Sequence, residues 1–546
     1  MKIKTIKLDI KGMTCDHCAQ TIDMALNLPG VAQKEVSYKE HVARVAFDEE
    51  LLSEEKIVEQ INALGHYRVV GREEIAEKSA GKKHLIIIGG GSAAFAATIQ
   101  AHELGARVTM INDGLPIGGT CVNVGCVPSK NLIRAAETLH KARHNPFSGI
   151  KTEGRLVNFK ELIEQKRQLV QELRVEKYIN VVKDMDDFRQ ITGRARITSP
   201  TSVVVNGETV HGDFILIASG ARPLLPPVPG LKDVPYLTNE EAFELDELPE
   251  SLIVLGGRYI ALEIAQMFSR LGSEVTLLQR SDRILPNQTS DLTDALTAFL
   301  HQEGIRIVTG NQLQKVYEKD NQIVVESLVN GTLKKFNAQK IVVATGRRAN
   351  TNDMGLEEVG VKLTETGFVE VNAFLQTSVA NIFAAGDVLG ENMFVYTAAY
   401  EGKLAAANAL STLKTQRDYT ALPWVIFTDP QVAGVGPDEL QAKEKGFDVE
   451  VTSLPLEHVP RCLAARDRRG FIKLIRDRNT DRLLGARILA PEGSELLMEL
   501  ALMIKFGIRV EQIKEMFHPY LTLSEGIKLA AISFSKDVKN LSCCAT

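Results

Sequence analysis

Six of the seven cysteines of this 546-residue chain fall in three close pairs: Cys15 with Cys18, Cys121 with Cys126, and Cys543 with Cys544. The start of the chain carries a charge every few residues, so it lacks the apolar core of a signal peptide. The longest apolar run, 85–99, is interrupted by three glycines and is shorter than the ~20 residues a bilayer needs. The expected setting is therefore the reducing cytoplasm, where close cysteine pairs point to metal ligation or redox work rather than to structural disulfides. Cys121 and Cys126 stand in the segment GGTCVNVGCVPSK, 118–130. Five residues apart, they would lie about 140° apart on a regular helix. Cys121 is thus expected ahead of the helix or in a distorted first turn, with Gly125 and Pro128 permitting the distortion. A thiolate at a helix N-terminus is favoured by the dipole, which lowers its pKa from roughly 8.5.

The other two pairs suit a soft ion. Cys15 and Cys18, in GMTCDHC at 12–18, are three apart in a loop and first helical turn, where two thiolates converge on one ion and leave it open to an incoming thiol. Cys543 and Cys544 are adjacent, with alpha carbons ~3.8 Å apart against the roughly 4.4–6.8 Å of a relaxed disulfide, so a bond between them would be strained and easily reduced. Two thiols near the chain end are better fitted to picking up and handing over a thiophilic ion. Cys462, alone, reads as a small buried hydrophobe, and His17 as a solvated helix residue.

These groups need elements to place them. A net charge of -5 with both signs interspersed offers no basic surface for nucleic acid and no polybasic membrane segment. Residues 1–70 read as strand, helix, strand pair, helix, strand, the βαββαβ order of a ferredoxin-like domain. Residues 71–83 are charged, without aromatics, and read as a tether. A strand over 84–88 runs into Gly89-Gly90-Gly91-Ser92-Ala93-Ala94 and a helix, the G-x-G-x-x-A turn that brings backbone to a pyrophosphate. The next strand ends at Asn112 and Asp113, with Asn112 where an acid usually takes the ribose. A second such unit has Gly256-Gly257-Arg258-Tyr259-Ile260-Ala261, with Arg258 in place of the middle glycine. After its second strand come Gln279, Arg280 and Arg283 with no acid at the strand end. Arginines there pair with a 2′-phosphate, so NADPH is expected over NADH. From residue pattern alone, Tyr178, inside a long helix over 159–182, is a core tyrosine.

The segment 118–130 closely resembles the redox-active segment of the flavoprotein disulfide reductases, and GMTCDHC with its element order resembles the heavy-metal-associated domain. FILIASGARP at 214–223 and TSVANIFAAGDV at 377–388 resemble that family's flavin-binding motifs. The resemblance implies an α/β fold with two Rossmann-like dinucleotide-binding domains plus an α+β dimer-interface domain, preceded by the ferredoxin-like metal-binding domain. The implied boundaries are 1–70 metal domain, 71–83 linker, 84–245 first FAD segment, 246–345 NADPH domain, 346–415 second FAD segment, 416–535 dimerisation domain and 536–546 Cys-Cys tail. It implies FAD at Gly89, Gly91, Ala94, Asn112, Asp113, Gly114, Gly119, Thr120, Lys130, Ala195, Asp387 and Val395. The nicotinamide nucleotide is implied at Gly256, Arg258, Arg280, Arg283 and Gly346. Lys130 and Glu263 would pair near the flavin's reactive edge, with Cys126 against the flavin and Cys121 as the exchange thiol.

One departure separates this chain from a disulfide reductase. Members that reduce disulfides carry a catalytic His followed by Pro, with a Glu five residues after the His. Here His518-Pro519 lies seven before Glu525, and Tyr520 lies five before it. A tyrosine with pKa ~10 is poorly matched to protonating a leaving thiol near neutrality. Together with the three pairs, this resembles the mercury-reducing members of the family. The implied function is NADPH-driven reduction of Hg(II) to Hg(0) by a cytoplasmic homodimer with shared active sites. Hg(II) would enter at Cys15 and Cys18 and pass through Cys543 and Cys544 to Cys121 and Cys126, with Tyr178, Tyr520 and Glu525 assisting. Small thiols would accompany it, and an inner-membrane mercury transporter is a possible ion donor. The alternatives are an NADPH-dependent disulfide reductase fused to a copper-binding domain, and a metal-delivery protein with a vestigial flavin fold.

Overall fold

The computed structural model describes residues 3–74 and 82–538. The chain divides into two compact units, one of Met1–Gly119, Tyr178–Ala221 and Arg348–Arg417, the other of Thr120–Lys177, Arg222–Arg347 and Asp418–Thr546.

In the first unit, the N-terminal portion is a four-stranded antiparallel sheet in the order Val31–Ser37, Val42–Asp48, Ile3–Lys11, Arg68–Glu74. Period-two alternation decides its faces: Ile6, Leu8 and Ile10 turn inward onto Ala19 and Ile22 of the helix Asp16–Ala25, onto Leu26 that caps it, and onto Ile57, Val58 and Ile61 of Glu54–Asn62. The last strand runs to Glu74, four residues into the segment expected to be a tether. Its backbone pairs with Ile3–Lys11, and those ladder bonds make a charged stretch without apolar residues extend as strand.

The same unit holds a five-stranded parallel sheet in the order Ile382–Ala384, Phe214–Ile217, His84–Ile88, Arg107–Asn112, Phe188–Thr192. Its central strand is wholly buried and apolar after His84, as a strand covered on both faces must be. The helices Ser92–Glu103 and Val395–Leu410 pack so closely that a methyl group at Gly402 would lie 2.0 Å from the Ala93 carbonyl oxygen.

The second unit contains a four-stranded parallel sheet, Arg306–Val308, Glu274–Leu278, Ser251–Leu255, Lys340–Val343. It also has a five-stranded antiparallel sheet in the order Pro423–Ile426, Gln431–Val435, Leu483–Ala490, Phe471–Asp477, Val449–Pro455, which carries the helices Leu497–Lys505 and Glu525–Ile532. Leu132 and Ala136 of the helix Cys126–Arg143 share a core with Leu262 and Ala265 of Tyr259–Leu271. A buried ion network braces this region. Arg270 pairs with Glu303 at 2.6 Å and Asp429 at 2.9 Å, and Arg469 pairs with Asp429 at 2.9 Å.

Candidate active site and its thiol pairs

Cys121 lies ahead of the helix that Cys126 opens, one of the two expected placements, but in a further helix that was not expected. Cys121 lies inside a short helix of its own, Gly119–Val124, and Cys126 is the first residue of the 18-residue helix Cys126–Arg143. Gly125 separates them with φ −123 and ψ −109. A β-carbon at Gly125 would meet the Thr120 carbonyl oxygen at 2.9 Å, so the break needs a residue without a side chain. Asn239 fixes it from outside, its Nδ2 donating to the Val124 carbonyl at 2.8 Å.

That break puts the two thiols in contact. The hydrogen bond between them is the largest influence on both: it holds the proton on Cys121, which burial raises further, and it lowers Cys126. Lys130, one turn along the same helix, lowers Cys126 as well. The pair carries its charge on the cysteine at the helix N-terminus, where the dipole favours it. Lys130 is itself held. Its Nζ sits 2.6 Å from Glu263 Oε2 and 4.6 Å above the ring of Phe427, and the Phe427 N–H donates to Glu263 Oε1 at 2.9 Å. Lys130, Glu263 and Phe427 open on a cavity of about 900 Å³ that His140 and Arg270 also line. Burial, aided by the charge of Arg270, pushes His140 down to about 4. No sequence motif announces Phe427 or Asn239, because each meets a partner remote in sequence, Phe427 the side chains of Glu263 and Lys130 and Asn239 the main chain of Val124.

In the N-terminal portion, Cys15 caps the helix Asp16–Ala25 and its Sγ lies 3.5 Å from that of Cys18. The thiol of Cys18 is lowered to about 6, first by a main-chain hydrogen bond at Thr14, then by the Thr14 hydroxyl, and then by Tyr67. Tyr67 was not legible in sequence; it reaches Cys18 from the loop before the last strand. Gly12 makes the turn possible, with φ +104 and a would-be methyl 2.2 Å from the His66 carbonyl. His17 is exposed and Cys462 is buried, as expected. Among the described residues no cluster of three or more His, Cys, Asp or Glu side chains is set to hold a metal. Cys543 and Cys544 lie outside the described residues.

The two glycine turns are shaped for phosphate. Gly89 has φ +127, and a β-carbon there would sit 2.1 Å from the Ala218 carbonyl oxygen. One at Gly119 would sit 2.6 Å from the α-carbon of Gly91. Gly91 caps the helix Ser92–Glu103 without a side-chain bond, which leaves its first N–H groups for an anion. Ala94 is buried on that helix and Gly114 has φ +78. Asn112 and Asp113 turn inward to their own loop. Asn112 Nδ2 donates to the Leu115 carbonyl and Asp113 Oδ1 accepts from the Gly114 N–H, each at 2.9 Å. Ala195 is buried, Asp387 opens the 3-10 turn after Gly386, and Val395 begins the helix Val395–Leu410.

In the second turn, Gly256 has φ +122 and its would-be β-carbon lies 2.3 Å from the Ala344 carbonyl. Arg258 stands where the first turn has Gly91, with φ −108 and ψ −170 against −92 and −167. That extended conformation is open to any residue, so the arginine costs the turn nothing. Gln279 packs its side chain on Gly257; Arg280 is exposed and Arg283 lies 3.6 Å from Asp282. Gly346, with φ +145, accepts from the Leu224 N–H at 3.0 Å.

Tyr178 belongs to a π-helical turn, Val175–Ile179, and meets Phe95 edge to face at 4.9 Å. Tyr520 is half exposed, whereas Glu525 is buried.

Residues 83–402 match the family model described as pyridine nucleotide-disulphide oxidoreductase. The chain belongs to that oxidoreductase family. Residues 422–531 match its dimerisation domain, and 7–66 match the heavy-metal-associated domain. A mercuric reductase of Staphylococcus aureus is 40% identical to this oxidoreductase over 550 residues and 100% of both chains. One of Shigella flexneri is 40% identical over 98% of this chain and 99% of its own. Among solved structures, a Cu(II) complex of the HOCl-induced flavoprotein disulfide reductase RclA of Escherichia coli covers 84% of this chain and 100% of its own. It has a TM-score of 0.75 and 29% identity. The expected fold class is therefore borne out, with its metal-binding and dimerisation portions. The oxidoreductase uses FAD and NADPH, and both glycine turns fit a dinucleotide. No helix among the described residues is long and apolar enough to cross a membrane.

Proposed function

We propose that this oxidoreductase reduces Hg(II) with NADPH: NADPH and Hg(II) give NADP⁺, a proton and Hg(0). FAD, when bound, takes the hydride and delivers two electrons. Cys126 presents a thiolate to that flavin and Cys121 exchanges with the incoming thiol complex of Hg(II), while Lys130, fixed by Glu263, keeps Cys126 charged. A soft ion held by thiolates moves by attack of another thiolate, so paired cysteines suit it. Cys15 and Cys18 collect the ion first. Cys543 and Cys544 pass it inward across a homodimer, with Tyr178 and Tyr520 as further oxygen ligands or guides. The 2′-phosphate of NADPH is met by Arg280 or Arg283. The enzyme works in the cytoplasm, fed by an inner-membrane mercury transporter or by small thiols.

The observation that carries this reading over disulfide reduction concerns the proton donor. His518, the one histidine near the expected place, has a buried side chain with its Nε2 2.8 Å from Glu499, and a tyrosine stands five residues before Glu525. Electrons sent to a metal ion need no proton at that ion, whereas a leaving alkyl thiol does. The test is NADPH oxidation by the purified protein with excess thiol. The expected result is a rate that depends on added Hg(II) and is small with glutathione disulfide or lipoamide. Rapid turnover of either disulfide would reject the reading.

A further inference from the structure

Tyr520 sits in a loop that is pinned on both sides. Two residues before it, His518 has only 4% of its side chain exposed, and its Nε2 is 2.8 Å from Glu499 Oε1 on the helix Leu497–Lys505. Its Nδ1 is buried with no hydrogen-bond partner among the described residues. After it, Glu525 is 7% exposed in the first turn of Glu525–Ile532, and its Oε2 accepts the N–H of Leu521 at 3.2 Å. Thr522 closes the turn, donating from Oγ1 to the Pro519 carbonyl at 2.7 Å and accepting the Glu525 N–H at 3.3 Å. Leu521 is left at φ +63, a conformation that a branched residue adopts only when its surroundings enforce it. Between these buried anchors Tyr520 is 50% and Leu521 43% exposed, and Phe517, just before the first anchor, is fully exposed.

The histidine and the glutamate therefore have separate partners. In an acid-base dyad the carboxylate would orient the imidazole. Here the imidazole is bonded to a different carboxylate, and the glutamate holds main chain. We propose that His518 and Glu525 are positioning residues, two stakes that hold a strained turn so that the Tyr520 phenol projects outward. Glu525 acts as a hydrogen-bond acceptor for Leu521 and not as a charge in proton transfer. The proposal deepens the role given to Tyr520 above and rests on it for its catalytic consequence, but not for its structural one.

Amide substitutions separate these roles. Glu525→Gln keeps an acceptor for the Leu521 N–H, and His518→Gln keeps a donor near the Nε2 position, whereas Glu525→Leu and His518→Leu keep neither. Full-length holoenzyme would carry 3-fluorotyrosine at position 520, read by ¹⁹F NMR, beside steady-state Hg(II)-dependent NADPH oxidation. NADPH reduction of the flavin reports that each variant is folded and loaded. The expected result is an unchanged 520 resonance in the two glutamine variants, with activity unchanged in His518→Gln. The two leucine variants should give a shifted or broadened resonance and a loss of kcat/KM equal to that of Tyr520→Phe, about tenfold, with no further loss when combined with Tyr520→Phe. An unmoved resonance in both leucine variants, or Glu525→Gln as damaging as Glu525→Leu, would overturn the proposal. A full rate in Tyr520→Phe with a shifted resonance in the leucine variants would leave the clamp standing and remove Tyr520 from the mercury reaction.

Discussion

Cys126 is chemically distinct from Cys121 because of where the backbone breaks. Gly125 ends one helix and Cys126 begins the next, so the cysteine that takes the charge has the dipole, Lys130 and a hydrogen bond from Cys121 in its favour. Lys130→Met removes the nearest cation, so iodoacetamide alkylation of Cys126 at neutral pH should slow, and Cys126→Ala should abolish Hg(II)-dependent NADPH oxidation while leaving bound flavin reducible. At the N-terminal pair the sign runs likewise. The thiol of Cys18 falls to about 6 in the folded chain, below the roughly 8.5 of an unfolded cysteine. Whatever that charge contributes to stability is present in full above the unfolded value and is lost as pH falls through about 6. Alkylation of Cys18 should show a midpoint near 6, which Tyr67→Phe raises. At this scale Cys15 with Cys18 and Cys121 with Cys126 were legible from type and spacing, and the pairing of Lys130 with Glu263 only through the family resemblance. Phe427, Asn239 and Tyr67 were not, since sequence distance hides which carboxylate, main-chain or thiol atom they meet.

At the scale of elements, the glycine turns and their helices do the positioning. Gly89→Ala would press a methyl onto the Ala218 carbonyl at 2.1 Å, so the variant should purify without flavin. Gly256→Ala, at 2.3 Å from the Ala344 carbonyl, should retain flavin yet be reduced slowly by NADPH. The brace around Arg270 is structural: Arg270→Ala leaves Glu303 and Asp429 buried without it and should cost about 3–5 kcal/mol in urea unfolding. The strands and crossover helices were readable from continuous apolar runs closed by glycine. The separate helix of Cys121 and the strand reaching Glu74 were not. The first depends on a local steric break at Gly125, and the second on a ladder that gives charged residues partners on Ile3–Lys11.

At the scale of the whole molecule, a dithiol at the redox segment is joined in one chain to a heavy-metal-associated portion and a dimerisation domain. A chain lacking residues 1–82 should still turn over Hg(II) supplied with excess small thiol. It should lose rate when the ion is offered as a stoichiometric complex with a protein thiol, because delivery and reduction are then separated. The central claim is that the electrons of NADPH end on the metal, and it is tested most directly by stoichiometry. Purified enzyme, limiting NADPH and thiol-bound Hg(II) in a sealed cell should release one mercury atom as vapour for each NADPH consumed. NADPH oxidation without mercury vapour would contradict it.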